Sequence, residues 1–255
     1  MESKAEYLLK VSLLTKYFGG IKAVDQITFS VERGELTGII GPNGAGKTTL
    51  FNLITGLIKS DRGEIIFKER KITDENTANI TRAGIARTFQ LVRPFYNLTV
   101  EENIKIPAIL ASKKLSESPE QIVRRVISMV GLEEKAKRTV STLTHAELKM
   151  LEIARAIATG PELLLLDEPY GGLGRNELSI VTETISKLSV SGITILIIEH
   201  RLSELMKNVR RVIVMDQGKL IADGEPREVV RIDRVIEAYL GTKYKEGREP
   251  GPTSK

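Results

Sequence analysis

The chain contains no cysteine, no tryptophan and only two histidines, His145 and His200. Without cysteine there is no disulfide framework, no thiolate nucleophile and no cysteine metal site. Two histidines are too few for a multi-histidine metal centre. Long apolar runs are missing too. Leu163–Leu166 and Ile193–Ile198 are strand-sized, far short of the roughly 20 residues that span a bilayer. Met1–Glu6 is polar and lacks the apolar core of a signal peptide, so a soluble, cytoplasmic chain is expected. No dense basic stripe with interleaved aromatics occurs. The 38 basic and 33 acidic residues leave a net charge of +5, which reads as solvated surface, and no nucleic-acid partner is expected.

What is present is typical of a globular protein. Hydrophobic residues make up 41% and charged residues 28% of 255 residues, ample for a real core. The N-terminal third predicts strands at Tyr7–Leu14, Ile27–Glu32 and Glu35–Ile40, broken by Gly19-Gly20 and Gly34. A helix over Thr48–Leu57 and strands at Gly63–Phe67 and Ala86–Gln90 follow. Thr99–Leu132 has a helical pattern with polar breaks at Ser112–Ser118. After it, helices Glu147–Ala158 and Arg175–Leu188 alternate with strands Glu162–Asp167, Ile193–Glu199 and Arg211–Met215. Strands alternating with helices predict a mostly parallel sheet covered on both faces. Residues 241–255, rich in Gly, Pro, Lys and Glu, are expected to be disordered.

Gly41-Pro42-Asn43-Gly44-Ala45-Gly46-Lys47-Thr48 matches G-x-x-x-x-G-K-[ST] in full, and Thr49 follows. The spacing has a chemical reason. Glycines let successive backbone N–H groups turn inward around phosphate oxygens. A helix starting near Lys47 adds its N-terminal N–H groups and partial positive charge. In this motif the lysine reaches the β- and γ-phosphates and the hydroxyl ligates Mg²⁺. The match sits where it must, between a predicted strand and a predicted helix, and a random chain of this length would carry it roughly once in a hundred times.

A second site-bearing segment is Leu163-Leu164-Leu165-Leu166-Asp167-Glu168-Pro169, a buried-type strand ending in two adjacent carboxylates. Successive side chains point in different directions at the C-terminal end of the sheet, where open α/β sheets bind ligands. Asp167 suits Mg²⁺ and Glu168 suits an attacking water.

The ordered set of the phosphate-loop motif, Gln90 in Arg87-Thr88-Phe89-Gln90, helix Glu147–Ala158, Asp167-Glu168-Pro169 and Ile197-Ile198-Glu199-His200 resembles ABC transporter ATPase subunits. Four segments are most similar to the ATP-binding subunits of branched-chain amino acid importers: residues 84–90, Leu98–Asn103, Leu151–Ala156 and Val235–Gly241. The resemblance implies a RecA-like P-loop core with an N-terminal antiparallel β subdomain and an inserted helical subdomain at about residues 94–140. All of this lies in one domain over residues 1–240. It also implies the functional parts. Phe18 corresponds to the aromatic that stacks on adenine, and Gln90 to the sensor of γ-phosphate and Mg²⁺. His200 corresponds to the residue that contacts the γ-phosphate and orients water with Glu168. ATP and Mg²⁺ are the implied ligands. The implied partners are membrane permease subunits, a second ATP-binding subunit and, indirectly, a substrate-binding protein, at the cytoplasmic face of the membrane. Export of another cargo such as lipopolysaccharide, a soluble non-transport ABC protein, and a regulatory subunit that no longer hydrolyses remain as alternatives.

One segment departs from the family. The signature Leu-Ser-Gly-Gly-Gln aligns with Leu143-Thr144-His145-Ala146-Glu147, where only Leu143 is identical. In family members this loop meets the γ-phosphate bound on the opposite subunit. Thr144 keeps a hydroxyl and suits a helix N-cap. His145 is the milder change. Ala146 is the worse one if the family's glycine there needs positive φ or a contact without Cβ. Glu147 puts a carboxylate near polyphosphate, although it suits the helix dipole. Leu148 replaces a polar residue, and Gly174 falls where many members place an aspartate. The expectation is a chain whose own nucleotide-side motifs are intact and whose contribution to the partner's site is degraded. Such a chain suits a heterodimer with one competent site, although a homodimer stays open.

Overall fold

The computed structural model describes residues 7–90 and 93–240; the tail at 241–255, expected to be disordered, lies outside them. Two sheets meet beside the 41–48 loop, where Asp25 N donates to Gly218 O (2.8 Å) and Gly218 N to Ala45 O (3.1 Å). The first is four-stranded and antiparallel, in the order β2-β1-β4-β5, from β1 (Tyr7–Phe18), β2 (Ile21–Glu32), β4 (Arg62–Phe67) and β5 (Arg70–Lys71). The second runs β10-β9-β3-β8-β7-β6, from β3 (Leu36–Ile40), β6 (Ile85–Arg87), β7 (Leu163–Asp167), β8 (Thr194–Ile198), β9 (Arg211–Asp216) and β10 (Lys219–Gly224). Within it β6, β7, β8, β3 and β9 are parallel and β10 is antiparallel to β9. The expected mixed fold with an antiparallel β unit is borne out.

β7 and β8 show why the second sheet carries the site. Leu163 and Leu165 face one core with Leu196 and Ile198, whereas Leu164 and Leu166 face another with Ile195 and Ile197. Alternating side chains are therefore buried on both faces, which is why these strands read as unbroken apolar runs. On one face lie α1 (Lys47–Ile54) and the antiparallel sheet. On the other lie α3 (Val100–Leu115), α4 (Pro119–Val130), α5 (His145–Ile157) and α6 (Arg175–Val190). The C-terminal ends of β3, β7 and β8 run straight into the phosphate loop, the carboxylate pair and His200.

Several boundaries differ from expectation for identifiable reasons. β1 and β2 continue to the Gly19-Gly20 turn because irregularities near Leu13 and Gln26, both at positive φ, let the pairing resume beyond them. β6 stops at Arg87, before Gln90, where the Phe89 N–H leaves the sheet for the Glu152 carboxylate. The long helical stretch divides at Ser118-Pro119, where Ser118 and Gln121 form a capping box. Helices α2 (Thr77–Ala83), α7 (Leu202–Asn208), α8 (Pro226–Val229) and α9 (Asp233–Leu240) and strands β5 and β10 were not foreseen, being short or weakly patterned.

The entry to α3 is fixed by one buried amide. Asn103 Nδ2 donates to Phe95 O (3.0 Å) and Thr99 O (2.9 Å), and its Oδ1 accepts from Phe95 N (2.9 Å). Asn103→Leu fills the same space, orphans the Phe95 N–H and takes a second donor from each carbonyl, which keep Leu98 N and Asn103 N; together this costs about 2–4 kcal/mol. For a chain of this size that lowers the melting temperature by roughly 5–15 °C. An unchanged melt would show that the loop finds other partners.

Candidate active site

The phosphate loop connects β3 to α1. Gly41, Gly44 and Gly46 all have positive φ, and a Cβ on Gly46 would lie 2.1 Å from Ala23 O. Glycine is required there by space as well as by backbone conformation. Lys47 opens α1 and is buried. Its ammonium donates to Gly41 O (2.7 Å) and Pro42 O (3.0 Å), so it lies across the cradle. Burial pushes its pKa below the ordinary lysine value, while the charges of Glu168 and Asp167 pull it back up.

The predicted carboxylates part company as alternation requires. Asp167 ends β7 and faces α1, where it pairs with Arg87 (2.7 Å). Glu168 turns the other way, at φ 51, a left-handed conformation that a non-glycine residue adopts at a cost. Its side chain is held at both oxygens: His200 Nε2 lies 2.9 Å from Oε1, and Gln90 Nε2 donates to Oε2 at 3.0 Å. Two residues from distant parts of the sequence thus converge on one carboxylate.

Thr48, Gln90 and Asp167 line a common cleft of about 760 Å³ with Asn52 and Arg87. A hydroxyl, an amide oxygen and a carboxylate form the hard oxygen set that suits Mg²⁺. Among the described residues no group of three His, Cys, Asp or Glu converges.

Phe18 lies at the β1–β2 turn, 48% exposed, with the Lys16 ammonium 5.7 Å from its ring centroid. It is a surface aromatic, not a core one. Around the signature, Thr144 caps α5 and forms a capping box with Glu147. The Glu147 carboxylate accepts from Thr144 N (2.8 Å) and pairs with Lys135 (3.2 Å). Burial pushes the Glu147 pKa up, but these partners outweigh it and leave it below the usual carboxylate range. Ala146 is in the first turn of α5 and is not among the residues at positive φ, so alanine meets no backbone strain there. His145 Nε2 is 3.0 Å from Gly171 O, and because a carbonyl only accepts, the imidazole donates. Leu148 packs against the helical core, and Gly174 caps α6 with an extended backbone.

Several residues escaped the sequence reading. Buried Glu199 accepts from Tyr170 N (2.6 Å), His200 N (3.1 Å) and Arg201 N (3.4 Å), and Arg201 donates to Leu173 O (2.8 Å). Together they tie the His200 turn to the loop after Glu168. The adjacency of Glu199 to His200 was the available signal. Arg87 and Asn52 were missed because only the fold brings them to Asp167.

Comparison with known proteins matches the family described as "ABC transporter" over residues 24–171, more than half of the chain. The chain belongs to the ABC transporter ATP-binding family. In this cassette a second family, described as "Branched-chain amino acid ATP-binding cassette transporter", matches residues 219–245. The cassette is 35% identical to a probable branched-chain amino acid transport ATP-binding protein LivG of Methanocaldococcus jannaschii, over 92% of this chain and 97% of that protein. It is similar in fold to a nucleotide-free ATP-binding cassette from an ABC transporter (TM-score 0.83, 34% identity, 92% of this chain and 99% of that one). A dimeric cassette in a post-hydrolysis state with ADP and Pi also superposes (TM-score 0.74, 25% identity, 86% and 99%). The cassette is an ATP-binding ATPase. Among its described residues no helix is long and apolar enough to cross a membrane.

Proposed function

We propose that this cassette hydrolyses MgATP as one of two ATP-binding subunits beneath the permease of an importer for branched-chain or other hydrophobic amino acids. The observation that carries the reading is Glu168, held between His200 (2.9 Å) and Gln90 (3.0 Å) beside the phosphate loop. Water lies against Glu168, which accepts its proton as the water oxygen bonds to the γ-phosphorus. The bond from that phosphorus to the β–γ bridging oxygen breaks, and its electron pair leaves with ADP. Lys47, Gly44, Ala45, Gly46, Thr48 and Thr49 hold the phosphates, and Phe18 stacks on adenine. Thr48, Gln90 and Asp167 would hold Mg²⁺, which neutralises phosphate charge when bound. The protein's contribution is mostly positioning and charge stabilisation.

The permease-facing surface on this reading is the rim of the 760 Å³ cleft, where Phe89, Arg93, Ile106, Leu110 and Arg155 meet. Leu110 is 83% exposed there, the kind of apolar surface that marks a protein contact. The names of the relatives support the amino-acid cargo.

The departures at Thr144–Glu147 support a heterodimer: this chain's phosphate loop works with an intact signature from a second cassette, while its own signature serves the weaker site. The test measures ATP turnover by the purified chain alone, mixed with a cassette carrying an intact signature, and in the membrane complex. Turnover that rises at least tenfold on mixing, and again with a binding protein loaded with leucine, is expected. Full turnover by the chain alone would remove the asymmetry and leave the ATPase assignment standing.

A further inference from the structure

Helix α5 carries ionisable side chains where its packing asks for apolar ones. Met150, Leu151, Ile153 and Ala154 are buried in the helical core, as an amphipathic helix requires. Yet Lys149 and Glu152, three residues apart and so on one face, are only 5% and 8% exposed. Burying a charge is costly unless it is satisfied, so the partners of these two identify their task.

Each hydrogen-bonds to backbone of the site, while the Lys149 and Arg155 charges also offset that of Glu152. Lys149 Nζ donates to the Gln90 carbonyl (3.2 Å) and to the Glu168 carbonyl (3.4 Å). Glu152 Oε1 accepts from Phe89 N (2.6 Å). One turn further, Arg155 donates to Arg93 O (2.9 Å). The segment around Gln90 is therefore gripped on both sides of its amide-bearing residue. The same ammonium also reaches the peptide of Glu168, whose left-handed backbone needs outside support.

We propose that Lys149 and Glu152 are positioning residues for hydrolysis, through which the signature helix sets the backbones of Gln90 and Glu168 and so the distance between their side chains. This rests on the proposed roles of Gln90 and Glu168. α5 is capped by Thr144, in the loop that on this reading faces the partner's nucleotide, and its second turn holds the parts that act on its own. A displacement of α5 moves Gln90 and Glu168 with it. Misplacing catalytic groups by about 1 Å can cost on the order of a hundredfold in rate, so the contacts need not touch substrate to govern turnover.

The experiment compares Lys149→Met, Lys149→Arg and Glu168→Gln in the assembled ATPase, reading kcat, KM, ATP affinity and melting temperature. Lys149→Met is expected to bind ATP within about twofold of the parent and to lose at least about tenfold in kcat with KM unchanged. Lys149→Arg, which keeps charged donors, is expected to recover most of that loss. A merely structural lysine would lower the melting temperature and ATP affinity together with kcat, and that result overturns the inference. If Lys149→Met does not fold, Lys149→Gln, which keeps a donor on a shorter stem, takes its place. Should Glu168→Gln be inactive while the Lys149 variants turn over normally, this inference alone fails. Should Glu168→Gln itself hydrolyse normally, the site assignment fails and this inference with it.

Discussion

Glu168→Gln is expected to lower ATP turnover by at least about a hundredfold, the scale of a lost general base, while ATP binding stays within about twofold. The reason lies in how the side chain is held. His200 and Gln90 grip one carboxylate oxygen each, and an amide of the same shape keeps both contacts when its oxygen accepts from Gln90 and its NH2 donates to an unprotonated His200 Nε2. What it cannot do is accept a proton or carry the charge that orients water. The phosphate loop, its glycines and Lys47 are untouched, so nucleotide affinity is preserved. Glu168 is partly exposed and its strained backbone is supported from elsewhere, with its N–H on Ile198 O (2.9 Å). The melting temperature should therefore move little. Paired with His200→Ala, the variant also tests whether the two act as one unit. If they do, the double variant is barely worse than Glu168→Gln, because residues acting together are far from additive. Turnover within tenfold of the parent would remove Glu168 from the chemistry.

The contrast between Glu168 and its neighbour Asp167 shows what the sequence could and could not reveal. The phosphate loop was legible because its pattern is local: Gly41, Gly44 and Gly46, then a helix, dictate where the N–H groups point. The strand Leu163–Asp167 was legible because burial on both faces needs an unbroken apolar run. The partner of Asp167 was hidden, since Arg87 meets it only through the parallel pairing of β6 with β7, where Arg87 lies opposite Leu165. Lys149 and Glu152 were hidden for a different reason. Charged residues on a helix ordinarily mark its solvated face, and only tertiary packing turns these two inward. Ala146 shows the converse. The sequence raised the question of positive φ, and the helical backbone of α5 answers it.

Arg87→Met is expected to destabilise the fold by about 3–5 kcal/mol, the scale for leaving one member of a buried ion pair without its partner. The melting temperature should drop by roughly 10 °C. The side chains of Arg87 and Asp167 are only 5% and 3% exposed, and their bond is 2.7 Å long. A second guanidinium nitrogen donates to Asn52 Oδ1 (2.6 Å), and the rings of Phe51 and Phe89 lie 5.5 and 5.1 Å from the guanidinium carbon. Methionine fills the slot between the rings but leaves the Asp167 carboxylate without its compensating charge. The decisive comparison is therefore the double variant Arg87→Met/Asp167→Asn. With the charge removed from both sides it should be more stable than Arg87→Met alone, with a coupling of at least about 1 kcal/mol. Strict additivity would mean that solvent or another cation already serves Asp167, and the pair would be incidental. Strong coupling would give Arg87 a definite task. It stands three residues before Gln90, and Asp167 stands one before Glu168. The pair then fixes the register between the two strand ends whose next residues must meet across 3.0 Å.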